Sequence, residues 1–210
     1  MSVVTATAVA TALTPGVAAA DPTTPPPIPT PPPAPTLSFD EVVMNGTGCP
    51  GQGDGVGVTV GGGKVVLDFT RFTARVGGSS TLPDRRKNCA VNISVTPAEG
   101  YTYTVSEATY DLATDLVAGT DAEQLAAYYY SETAADTTVV PAKHYTTAGA
   151  STDTHVHDAA ALAPLGAAPC GQSSSVNVNS QVRFTAASAA EQASTITVRR
   201  ATVHLTAVPC

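Results

Sequence analysis

From residue 38 onward, apolar and polar positions alternate in short runs separated by turn residues. Val56, Val58 and Val60 alternate with smaller residues, Gly61-Gly62-Gly63 follows, and Val65, Leu67 and Phe69 resume the pattern. Two period-2 runs joined by a glycine turn predict a β-hairpin. Cys89, Val91, Ile93 and Val95 share one face, with Ala90, Asn92 and Ser94 on the other. Tyr101, Tyr103 and Val105 share a face, but Ala108 and Tyr110 fall in the opposite parity. One extra residue near Ser106 or Glu107 restores the alternation, so a β-bulge is expected there. Val176, Val178, Val182 and Phe184 alternate with Asn177, Asn179, Gln181 and Arg183. Ile196, Val198, Val203, Leu205 and Val208 give a last strand. One short helix is expected, with Asp121 capping a turn through Glu123, Gln124 and Leu125 to Ala127. Many short strands with little helix predict an all-β fold: an antiparallel β-sandwich, jelly-roll-like, with at most one short helix.

The segments before residue 37 have a different character. Residues 1–20 are uncharged, rich in Ala, Val and Thr, and end in Ala18-Ala19-Ala20 before Asp21. A small-x-small ending of this kind reads as a secretory signal peptide, although no Lys or Arg precedes Lys64. Residues 21–36 form a proline-rich linker: nine of the fifteen residues from Pro22 to Thr36 are Pro. Such a stretch favours polyproline II, about 3.1 Å per residue, and serves as a semi-rigid spacer. A single folded domain over 37–210 is therefore expected.

Composition narrows the partners. Hydrophobic residues make up 43% of the 210, enough for a core, but there is no Trp and aromatics are only 5%. The core must be built largely from valine, which suits a pleated surface. A net charge of -7 repels phosphate backbones, so nucleic acid is excluded as a natural partner. No later stretch is apolar over 18 residues, so no membrane span is expected. Four cysteines, Cys49, Cys89, Cys170 and Cys210, are an even set that in an exported chain points to disulfides. Three pairings are possible. The spacing suggests Cys49 with Cys89 and Cys170 with Cys210, each loop being worth roughly 3–4 kcal/mol. Zinc would want paired CxxC spacing, which is missing.

Four pieces of sequence carry a family resemblance. They are Gly46-Thr47-Gly48-Cys49-Pro50; Arg86-Lys87-Asn88-Cys89 before an alternating strand; Gly100-Tyr101 with Tyr103 and Tyr110; and Cys170-Gly171 with Asn177-Val178-Asn179-Ser180-Gln181-Val182-Arg183 and a terminal Cys. In this order and spacing, over 37–210, the chain resembles the secreted family known as domain of unknown function 4360, found in fungi and actinobacteria. The resemblance implies a small secreted protein with two disulfides and supplies no reaction or ligand. The chain departs from the family pattern over 143–168, an Ala-rich stretch that carries His155 and His157.

Several constellations are candidates for chemistry. Gly46-Thr47-Gly48-Cys49-Pro50-Gly51 spells GxGxxG, but a glycine-rich loop and a strand follow where a dinucleotide site needs a helix. Asp153, His155 and His157 would share a strand face and could grip a divalent metal, with His144 or His204 as a further ligand. Arg85, Arg86 and Lys87 form a basic cluster that either meets an anionic glycan or pairs with local acids such as Asp84. Asn177, Asn179, Gln181 and Arg183 form a polar stripe whose amides both donate and accept, as sugar hydroxyls require. Tyr128 and Tyr130 are candidate stacking platforms beside it, or else core residues. Glu107, Asp111 and Asp115 are candidate carboxylates for glycoside hydrolysis, but no GxSxG or HExxH motif and no cofactor signature occurs. Asn45-Gly46-Thr47 and Asn92-Ile93-Ser94 are glycosylation sequons for a eukaryotic producer. The expected function is a secreted, non-catalytic extracellular module for a glycan or cell-surface component. A structural envelope or matrix protein is the first alternative, a polysaccharide hydrolase the second.

Overall fold

The computed structural model describes residues 35–51, 53–186 and 192–210. The expected signal peptide and nearly all of the proline-rich linker lie outside these residues. The strands in chain order are β1 (Leu37–Asn45), β2 (Val56–Gly61), β3 (Lys64–Phe69), β4 (Thr73–Val76), β5 (Arg86–Pro97) and β6 (Tyr101–Leu116). They continue with β7 (Asp121–Tyr130), β8 (Thr138–Tyr145), β9 (Gly149–His157), β10 (Ser174–Ala186) and β11 (Ser194–Pro209). One sheet has the order β1-β5-β10-β7-β8. The other has the order β2-β3-β11-β6-β9, with β4 also pairing β11. All these pairings are antiparallel. After β4 the chain crosses to the first sheet at β5, back at β6, and repeats such crossings up to β11. The result is the expected all-β, jelly-roll-like sandwich.

Alternation sets which residues meet between the layers. β5 contributes Cys89, Val91, Ile93 and Val95, β10 contributes Val176, Val178, Val182 and Phe184, and the facing layer contributes Leu112, Ile196, Val198, Val203 and Leu205, all buried. Each such side chain contributes about 1.5–3 kcal/mol by leaving water. The expected bulge is present: Leu205 opposes Val105 while His204 opposes Glu107, so Ser106 is the extra residue. The expected hairpin is also present. Gly62 and Gly63 turn with φ of +58° and +71°, a conformation that side chains disfavour and a two-residue hairpin requires.

The expected helix from Asp121 is not formed. Residues 121–130 are β7, held between β10 and β8. The helix-forming Ala, Glu, Gln and Leu of this stretch yield to ladder pairing on both edges and to burial of Ala122, Gln124, Ala126, Tyr128 and Tyr130. A single turn of α-helix, α1 (Ala159–Leu162), occurs instead where Asp158 caps it by accepting from the Ala161 N–H at 3.0 Å. Disulfides join Cys49 to Cys89 and Cys170 to Cys210. The first ties the β1–β2 crossover to the start of β5. The second pins the end of β11 to the loop before β10, and the Cys210 N–H donates to Gly100 O, in the turn between β5 and β6, at 3.0 Å.

Candidate functional site on the five-stranded sheet

β10 is the central strand of its sheet, so its outward side chains sit mid-face. Register places Asn92 and Tyr129 on either side of Asn177, Ala90 and Ala127 beside Asn179, and Asn88 and Leu125 beside Gln181. The small side chains at Ala90 and Ala127 leave a trough of about 380 Å³, lined by Arg86, Asn88, Leu125, Asn179 and Gln181 as well. Part of the polar stripe is consumed internally. Asn92 Nδ2 donates to Asn177 Oδ1 at 3.0 Å, and Asn177 Nδ2 donates to Ser131 Oγ at 2.9 Å. Asn88 Oδ1 accepts from Thr47 Oγ1 at 3.1 Å. Among the described residues, the side-chain amides of Asn179 and Gln181 have no such partner, although Gln181 is only 7% exposed.

Arg183 belongs to a different arrangement. Its Nε pairs with Glu123, whose side chain is buried, and His144 approaches the same carboxylate at 3.5 Å and Asp121 at 3.1 Å. The guanidinium is thus committed to neutralising a buried charge. The tyrosine assignment also needs correction. Tyr128 and Tyr130 are fully buried and cannot stack on a ligand. Their hydroxyls bond across the sandwich: Tyr128 OH lies 2.9 Å from Tyr110 OH and 2.8 Å from His157 Nδ1, and Tyr130 OH donates to Gly166 O at 3.2 Å. Burial pushes the Tyr110 hydroxyl up to about 12 and Tyr128 well above the ordinary tyrosine range. The half-buried outward tyrosine is Tyr129, opposite Asn177. Opposite parity to Tyr128 and Tyr130 was its signal.

Asp153, His155 and His157 do share a face, the inward side of β9 at the sheet edge. Asp153 accepts from Tyr145 OH at 3.0 Å and faces Lys143 Nζ at 3.7 Å. The two imidazoles meet edge to face with centroids 4.6 Å apart, and His157 is committed to Tyr128. Among the described residues, no group of three or more His, Cys, Asp and Glu is arranged to hold a metal ion. His144 stands with Asp121 and Glu123 on the five-stranded sheet, while His204 faces Glu107 at 3.7 Å on the other sheet, so neither completes the trio. Desolvation lowers both imidazoles, His157 to about 4. Both rings are therefore neutral at pH 7.

The basic cluster and the carboxylates are likewise placed. Lys87 pairs with Asp84 at 3.3 Å, and the Thr81 backbone N–H and hydroxyl with Lys87 hold that carboxyl down to about 2. Arg86 lines the trough. Glu107, Asp111 and Asp115 are four residues apart on β6, hence roughly 13 Å from one to the next, beyond the separations that glycoside hydrolysis uses.

Comparison with known proteins agrees with the motif resemblance. The family described as domain of unknown function, DUF4360, matches residues 35–209. An uncharacterized secreted protein of Arthroderma benhamiae is 30% identical over 146 residues, covering 69% of this chain. The matched region spans 58% of that relative's own length. With two disulfides closed, the location is extracellular. No helix among the described residues is long and apolar enough to cross a membrane.

Proposed function

The chain belongs to the DUF4360 family, and on that premise we propose that it is a secreted carbohydrate-binding module whose site is the trough on the five-stranded sheet. The supporting observation is Gln181: nearly buried, without an internal partner among the described residues, and lining a trough floored by two alanines. An amide that both donates and accepts suits vicinal sugar hydroxyls, and the Ala90 and Ala127 methyls suit the C–H face of a pyranose. Asn179 supplies a second amide and Arg86 further donors, while Tyr129 borders the stripe. Arg183 is left to Glu123 and Tyr128 and Tyr130 to the core.

Affinity electrophoresis against a panel of soluble neutral polysaccharides, followed by calorimetry on the best, tests this reading. The double variant Asn179→Ala with Gln181→Ala is expected to weaken binding at least tenfold without lowering the melting temperature. Equal retention of the double variant and the unaltered protein, or no retention on any polysaccharide, refutes it.

A further inference from the structure

The opposite face carries a second arrangement, built around a bulge. Val198 opposes Leu112 while Arg200 opposes Asp111, so Arg199 is the extra residue in β11. The bulge turns two successive arginines to the outer face of the six-stranded sheet, where strict alternation would have buried one. They border a groove of about 330 Å³ lined by Asp68, Asp111, Thr152, Asp153, Thr154, Arg199 and Arg200.

The carboxylates here are answered. Asp68 accepts from Arg200 Nε at 2.7 Å. Asp111 faces the same arginine across the ladder and accepts from Thr154 Oγ1 at 2.9 Å. Asp153 is held by Tyr145 and Lys143. Arg199 is not answered. Among the described residues its sole hydrogen bond is a long one, 3.5 Å to the Leu112 carbonyl, and no described carboxylate lies within ion-pair distance. Asp68 and Asp111 are held by Arg200 and a threonine hydroxyl, and Asp153 turns to the inner side of β9, which leaves a planar guanidinium with spare donors at the groove.

We propose that this groove is a second, independent ligand site that takes a carboxylate-bearing sugar, a hexuronate. Arg199 receives the carboxylate through its planar fork, which matches two carboxylate oxygens at once. Thr152, Thr154 and the remaining acceptor oxygens of Asp111 receive the ring hydroxyls. A single uronate suits the groove better than a long polyanion, because the net charge of -7 opposes approach of dense negative charge. The two sites lie on the outer faces of different sheets. One protein is then able to hold a neutral sugar chain and a single acidic sugar residue together.

Calorimetry with short oligogalacturonates at low salt, the same oligomers fully methyl-esterified, and inorganic phosphate forms the test. The free acid is expected to bind, and esterification or Arg199→Ala each to weaken binding at least tenfold. Arg199→Lys should recover only part of the loss, since it restores charge without the fork. The Asn179→Ala, Gln181→Ala double variant should bind the uronate unchanged, which separates this site from the trough. Absence of binding, equal binding of the ester, or an unaffected Arg199→Ala variant overturns the proposal. Phosphate binding as tight as the uronate's overturns the sugar assignment.

Discussion

Lowering the pH from 7 to 4 probes the imidazole of His157. The ring is 1% exposed and its Nδ1 is held by Tyr128 OH, while Tyr110 and His155 pack against it. Desolvation first and the neighbouring His155 second lower it from 6.5 to about 4, against the opposing pull of Asp158. Above pH 6.5 the ring is neutral in folded and unfolded chains alike and exerts no pull. Between 6.5 and 4 the unfolded chain takes up a proton that the folded chain refuses, so stability falls as pH falls. The loss is complete once the pH passes below the folded value. A shift of this size corresponds to about 3 kcal/mol. For a domain of this length that amounts to roughly 6–12 °C in melting temperature. Desolvation lowers His155 as well, so the informative quantity is a difference between proteins. Thermal melts of the unaltered protein and of His157→Gln at pH 7 and pH 4, disulfides intact, supply it. His157→Gln should start less stable at pH 7 and lose several degrees less on acidification. Equal losses in both proteins, or an NMR titration of His157 near 6.5, would refute the reasoning.

Further outcomes follow from the same contacts. Tyr128→Phe removes a hydroxyl shared by Tyr110 and His157 and should cost about 1–3 kcal/mol in chemical denaturation. Arg183→Ala strands the buried carboxylate of Glu123 and should destabilise by about 2 kcal/mol or more, yet leave sugar binding at the trough intact. Replacing Cys170 and Cys210 together by Ser should cost roughly 3–4 kcal/mol, with hydrogen exchange rising first at the end of β11. Gly46→Ala should lower expression and melting temperature, because the added methyl would collide with the Asn88 carbonyl.

Period-2 alternation in the sequence alone determined β2, β3, β5, β6, β10 and β11, which residues of each share a face, the bulge at Ser106 and the Gly62-Gly63 hairpin. Cysteine spacing anticipated both bridges, and the β10 stripe was legible as an outward polar row. Alternation does not say which face is covered, because the cover comes from strands far away in the chain. Tyr128 and Tyr130 went inside because β6 and β9 bring Tyr110 and His157 against Tyr128 and β6 brings Tyr103 against Tyr130, and with no Trp available they are among the bulkiest fillers of the core. Residues 121–130 became a strand because β10 and β8 offered ladder partners on both sides. Arg183 was taken up by Glu123, which the pairing of β10 with β7 set beside it, and Arg199 was turned outward by a bulge whose local mark is the parity change between Val198 and Val203. Local chemistry thus chose the elements, and long-range pairing chose which polar groups stay free to meet a ligand.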